Sequence, residues 1–344
     1  AFTLKVSDRS GWPIPTRALA ELWVGKDQLL TGFVDSIEAT LSESEHSVTV
    51  RGRDLTADLV DCSAMNLQTQ FVDVDLYAIA IALCEPFGIG VVQAVDVGEP
   101  FYLFALQPGE TAFESLERAC RLRAVLPTTD GTGRLILTRA KVGNSPLPPI
   151  LAGVGNFAPT QLAVAHLVEG ENLRAVSVKL DDTGRYQSYT VRSQTQGSDL
   201  ASGAVSVGPE GRAYDPLARV NRTLLVLAEG ALDDAKAQRR AEWEATVRLA
   251  RSQQVSATVQ GWRQGANGPL WQPNTLTQVY APTIRVDAQM IVVSVTMRLS
   301  PSTGTTTELA LCRADAYQPE RVPTVEEDLS QGLEQEAEAA DQEE

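Results

Sequence analysis

Histidine is the scarcest chemistry-bearing residue in this chain: there are two, His46 and His166, in 344 residues. That scarcity excludes a His-rich metal centre and an HExxH zinc motif. A Ser-His-Asp or Cys-His arrangement would have to recruit one of the same two residues. His46 stands beside a predicted hairpin turn and reads as exposed, whereas His166 sits in an apolar run and reads as packed. Cysteine is also sparse. Cys62, Cys84, Cys120 and Cys312 show no CxxC spacing, which reads as buried free thiols in a reducing compartment, with no disulfide framework. Long apolar runs are missing: the longest candidate, residues 77–84, falls far short of the roughly 18 residues that a spanning helix needs. No secretory leader pattern is present, so no membrane anchor is expected. Gly88 with Gly90 and Gly131 with Gly133 lack the rest of a dinucleotide fingerprint, and there is no Walker lysine motif, so these glycines read as turns. No cofactor, metal or catalytic residue is predicted.

Charge is lopsided. The chain carries 44 acidic and 29 basic residues, a net −15, but residues 325–344 hold nine carboxylates and no base. Subtracting that −9 leaves a body of only −6. With no clustered basic stripe, tight nucleic-acid binding is not expected. Residues 319–344 read as an acidic, disordered tail.

What the chain does have is alternation. Residues 173–191, LRAVSVKLDDTGRYQSYTV, form two alternating runs around Asp181-Asp182-Thr183-Gly184, the pattern of a β-hairpin. Residues 37–53 repeat that logic, so the two hairpins are expected to be equivalent parts of repeated sheets. The chain opens as a strand at Phe2, Leu4 and Val6, which predicts a start inside a domain, lacking its N-terminal strands. Leu22-Trp23-Val24 and Phe33-Val34 flank a turn at Gly25-Lys26-Asp27. Leu55, Leu59 and Val60 predict a short helix, and Asp75 caps a second that ends before Pro86. Thr111 and Glu114 make a capping box for a helix whose stripe is Ala112, Phe113, Leu116, Ala119 and Cys120. Strands around Phe101–Phe104, Ala124–Leu126 and Leu135–Leu137 complete a small α/β unit over about residues 90–140. Residues 145–159 read as a linker and 192–214 as a mobile loop. A long helix is predicted over residues 231–252, with Leu232, Ala235, Trp243, Val247 and Ala250 on its apolar seam. Strands follow at Val255, Ala257 and Val259, at residues 290–299 and at 308–312.

The fold class is therefore mainly β with an α+β insertion. Two tube-like β-barrel domains are expected at 1–64 and 147–318. A helical connector with the small α/β domain occupies 65–146. Paired carboxylates remain the hardest enzyme class to exclude. Asp181 and Asp182 are adjacent, but their place in a turn explains them through local backbone bonding. Trp262 and Trp271 flank a Gly-rich turn, where they read as covering the end of a barrel; the alternative is a sugar platform.

Five stretches stand in a fixed order: Thr31-Gly32-Phe33-Val34-Asp35; residues 50–62, VRGRDLTADLVDC; residues 109–116, GETAFESL; Gly170-Glu171-Asn172-Leu173 leading to residues 185–191, RYQSYTV; and Gly261-Trp262-Arg263 before residues 270–274, LWQPN. In that order they resemble the Mu-type baseplate hub proteins of contractile phage tails, the late control protein D family. Coverage is roughly residues 20–318, and the acidic tail lies beyond it. The resemblance implies a non-enzymatic homotrimer in which each subunit contributes two tube-like barrels. It would join a hexameric tail tube to a trimeric central spike among other baseplate proteins, with the α/β unit outside the ring. The long helix would pack between subunits. DNA would pass through the bore without specific binding, past a mildly negative lining. It also implies a place in the virion tail, after synthesis in the host cytoplasm. The alternatives are a carboxylate-dependent cell-wall hydrolase of the tail tip, or the equivalent spike hub of a secretion or bacteriocin particle.

Overall fold

The computed structural model describes residues 1–6, 14–43, 46–64, 69–140, 165–193, 209–228, 233–265 and 268–317. Its contacts divide these residues into two units, up to Arg139 and from Ala140 onward.

The first unit begins with β1 (Phe2–Val6), β2 (Leu19–Val24), β3 (Asp27–Leu41) and β4 (His46–Asp54). They form one antiparallel sheet in the order β1-β4-β3-β2. Phe2, Leu30, Val34, Val48 and Val50 make its core. Gly52 is small for a reason: a Cβ there would fall 2.5 Å from the Phe2 ring and 2.2 Å from the Phe33 carbonyl oxygen. The predicted hairpin at residues 37–53 is the β3–β4 pair, with Ile37 opposite Val50.

The chain continues through α1 (Ala57–Asp61), β5 (Gln70–Val74), α2 (Leu76–Cys84), β6 (Gly90–Gln93), β7 (Phe101–Ala105), α3 (Ala112–Leu122), β8 (Leu126–Thr129) and β9 (Arg134–Thr138). The side chain of Asp75 accepts from the Ala78 amide to start α2, and the Thr111–Glu114 capping box starts α3, as their spacing predicts. One core joins them, with Leu59, Leu76, Leu83, Phe104, Leu116, Cys120 and Leu137 all buried. The β8–β9 turn docks on the first sheet: the Thr31 amide donates to the Gly131 carbonyl at 2.7 Å. Gly131 has a φ of +79°, and a Cβ there would lie 2.2 Å from the Leu29 carbonyl oxygen.

The second unit holds β10 (Ala165–Val168), β11 (Leu173–Leu180), β12 (Ser188–Ser193), β13 (Glu210–Tyr214), β14 (Thr223–Ala228), α4 (Asp234–Arg251), β15 (Gln253–Gln260), β16 (Leu276–Ala281), β17 (Val286–Ser300) and β18 (Gly304–Cys312). Six strands form a sheet in the order β10-β16-β17-β18-β15-β11. Laid flat, its edge strands would stand about 24 Å apart, five spacings of about 4.8 Å. Residues 169–172, the whole connection between β10 and β11, reach at most about 18 Å. The sheet must therefore curl, and a bridge between Glu169 and Leu173 shows its two edges meeting at one end. No ladder joins β10 to β11, so this is an open half-barrel, not a closed tube.

Several expectations change here. Residues 173–191 do not form a hairpin. β11 pairs with β15, whereas β12 pairs with β13 and β14 in a separate three-stranded sheet. Asp181–Gly184 is a crossover between sheets, because the alternation on either side serves two different cores. Residues 210–214 of the predicted loop are β13, and 194–208 lie outside the described residues. The buried face of α4 is Ala237, Ala241, Glu244, Val247 and Ala250, while the predicted Ala235 is exposed. The small face is needed: a Cβ on Gly211 of β13 would lie 2.1 Å from the Ala237 backbone, so strand and helix touch almost directly. His166 is exposed on an edge strand and His46 is half-buried, the reverse of expectation. Cys62 is exposed, while the other three thiols are buried and free. Leu232, the 145–159 linker and the acidic tail lie outside the described residues.

Candidate assembly surfaces

The two sheets contain one motif twice. β1 to β4 and β15 to β18 share the spatial order first-fourth-third-second, all antiparallel. In each, a 15-residue third strand runs into a 9-residue fourth strand. Each third strand carries one extra, unpaired residue, Asp35 between Val34 and Ser36 and Val293 between Val292 and Ser294. Matching these bulges makes Gly52 equivalent to Leu311 and Phe2 equivalent to Val255. A large residue on one strand and a small one on its neighbour have exchanged places, and a similar core volume is filled. The repeat therefore pairs residues 37–53 with the β17–β18 hairpin, not with residues 173–191. A signal was present in the sequence: VDSIEATLS at 34–42 and VVSVTMRLS at 292–300 share Val, Ser, Leu and Ser at the same spacing.

The copies differ at their edges. In the second, β11 lies along β15, and Val176 stands opposite Ala257, which is buried. In the first, the outer edge of β1 has no strand among the described residues, and Leu4 and Val6, on the face of Phe2, are 47% exposed. Leu19 and Phe33 stand opposite each other and are exposed. Their counterparts Leu276 and Ile291 are buried in a cluster with Ala250 and Ala316. The first sheet thus leaves apolar surface open where the second covers it.

The residues that carry the sequence resemblance have structural work. Arg53 donates to Asp35, the bulge residue, at 2.8 Å and to Asp61 of α1 at 2.6 Å, tying sheet to helix. Glu110 accepts from Arg118 at 2.9 Å and from Ser115 at 2.7 Å, and the guanidinium holds its carboxyl down to about 2. Asn172 accepts from the Val168 amide and donates to the His166 carbonyl, closing the tight turn that brings β10 to β11. Trp271 is buried in the second sheet's core, so it cannot serve as a sugar platform, and Trp262 donates to the Arg298 carbonyl.

The crossover residues build a lock that sequence alone did not reveal. Arg185 makes a fork on Asp215, with contacts of 2.8 to 3.1 Å, and also donates to Asp182 at 2.9 Å. Tyr189 is fully buried, and its hydroxyl accepts from the Tyr186 amide. Tyr186 is within cation–π distance of both Arg222 and Arg248. Asp181 accepts from the Thr183 hydroxyl and amide, which keeps it below the usual carboxylate range. Glu244, nearly buried, lies between Arg240 and Arg248 at 3.0 Å from each. Among the described residues no group of three or more His, Cys, Asp and Glu is placed to hold a metal ion. No described helix is long and apolar enough to cross a membrane.

Comparison with known proteins agrees with this architecture. Residues 56–139 match the family described as baseplate hub protein gp44-like, second domain. Residues 233–320 match the Mu phage baseplate assembly protein GpP, fourth domain. The baseplate hub protein gp44 of Escherichia phage Mu is 30% identical over 305 residues, covering 86% of this chain and 75% of its own length. This chain belongs to the Mu-type baseplate hub family of phage tail proteins. The 43 kDa tail protein of prophage MuSo2 from Shewanella oneidensis superposes with a TM-score of 0.77 at 28% identity, over 92% of this chain and 90% of its own. A tail protein from Neisseria meningitidis MC58 shares the fold, with a TM-score of 0.73 at 22% identity over 94% and 90% of the two chains. For a hub-family chain, the ion-paired carboxylates and the buried Trp271 are parts of the frame.

Proposed function

We propose that this hub-family chain is a structural, non-enzymatic symmetry adaptor of a contractile tail baseplate. It works as a homotrimer between a hexameric tail tube and a trimeric central spike, within the virion. The observation that carries this reading is the repeated four-strand sheet. Two equivalent sheets in each of three chains make six, so a threefold object can meet a sixfold one. The half-barrels are proposed to act as tube-like domains within residues 1–64 and 147–318, with 65–146 lying outside the ring and 319–344 as a tail. Open apolar surface on the first sheet supports burial in an assembly. The bore passes DNA without specific binding, and a mildly negative lining would keep DNA from adhering.

Native mass measurement combined with a peptidoglycan assay tests the proposal. A threefold mass without turnover is expected. A monomer that releases peptidoglycan fragments, and loses that activity on replacement of one carboxylate, would overturn it in favour of a hydrolase.

A further inference from the structure

The two repeats end in the same way. Leu41 and Leu299 lie at matched positions at the ends of the third strands, the last and the next-to-last residue, each six residues beyond its bulge residue, Asp35 or Val293. Each is followed by serine, Ser42 or Ser300. Leu41 lies opposite His46 and Leu299 opposite Thr305, both at the tips of the long hairpins. Both leucines continue the core-facing stripe, beyond its covered part: Ile37 packs on the core in one sheet, with Ala39 already exposed, and Val295 and Met297 pack on it in the other. Leu41 is 81% exposed and Leu299 72%.

A single exposed leucine needs no explanation. The same leucine at the same register of two repeats is different, because these repeats have exchanged even core residues such as Phe2 and Val255. Retention of an exposed apolar tip in both points to one shared contact.

We infer that Leu41 and Leu299 are equivalent anchors for a sixfold ring of identical subunits, each subunit offering one apolar pocket. The inference rests on the trimeric reading proposed above: three chains carry six such tips, and only a partner with six equivalent pockets uses both tips alike. A threefold partner would meet the two kinds of tip differently.

The test uses the full chain and hexameric rings of the tail tube protein from the same particle. Ring binding is measured for the parent, Leu41→Ser, Leu299→Ser and the double variant, with native mass recorded for each. Each single change should weaken binding by about tenfold, the usual scale for an anchor residue, and the two together by about a hundredfold. Trimer mass should stay unchanged. Tyr102→Ser, at an equally exposed aromatic on β7, should bind as the parent does. Unchanged ring binding by the double variant overturns the inference, and so does a double variant that no longer forms trimers, since the leucines would then belong to the subunit interface. A parent chain that is monomeric sinks the trimeric reading itself, and the sixfold anchor with it.

Discussion

Removing Asp215 should damage the second unit more than any surface charge change. Arg185 and Asp215 each expose 7% of their side chains, and three contacts between 2.8 and 3.1 Å join them. In Asp215→Ala the guanidinium stays buried and loses two of its acceptor oxygens, while Asp182, 61% exposed, remains at 2.9 Å. Breaking a buried pair in this way costs about 3–5 kcal/mol. The surviving Asp182 contact places the expectation at the lower end, about 3 kcal/mol. For a unit of this size that lowers the melting temperature by about 10 °C. Urea unfolding, with amide exchange in β12, reads the effect where Tyr189 and Val191 are fully buried. The loss should change little between low and high salt, because a buried pair is weakly screened. Replacing both partners, Arg185→Met with Asp215→Leu, should recover much of it, since no charge is then left buried. A cost below about 1 kcal/mol for Asp215→Ala, the scale of an exposed ion pair, would refute the reasoning.

Two further outcomes follow from the side-chain chemistry. Glu110 titrates at about 2 when folded, against 4.5 ordinarily, chiefly through Arg118. Its stabilisation is complete above pH 4.5 and lost as pH falls toward 2. Glu110→Gln should therefore flatten the acid limb of first-unit stability, and an NMR titration placing the native carboxyl near 4.5 would contradict this. Burial pushes the thiols of Cys84, Cys120 and Cys312 up to about 12, whereas Cys62 is exposed. A thiol reagent at pH 8 should label Cys62 promptly and the other three only on unfolding; a second fast thiol would show the packing to be wrong.

Local signals were legible wherever neighbouring residues decide the outcome. Asp75 and the Thr111–Glu114 box start their helices because a cap needs only the next three residues. The β3–β4 hairpin and the strict alternation of Val255, Ala257 and Val259 were readable in the same way, all three residues being buried. Chain-order motifs were enough to indicate the hub family. The sequence also showed how little was available for histidine or metal chemistry.

Tertiary structure decided which strands pair. An alternating run states that a strand has a buried face, but not which strand lies beside it. Residues 173–191 look like one hairpin, yet their halves join different sheets, β11 on β15 and β12 between β13 and β14. The second repeat was obscured for the same reason: its strands β15 to β18 lie far along the chain from β1 to β4, and the short shared pattern at 34–42 and 292–300 gains its meaning from matched registers and bulges. Val247 and Ala250 of the predicted α4 seam are buried, but the close approach of Gly211 to the Ala237 backbone, which sets the rest of that face, joins residues the local pattern does not connect. Asp215 could not be paired with Arg185 from their separation of 30 residues. Composition and local pattern determined the kind of protein this is, because they act through near neighbours. The repeat, its open edges and its ion-pair lock belong to contacts between residues distant in sequence, which exist only once the chain has folded.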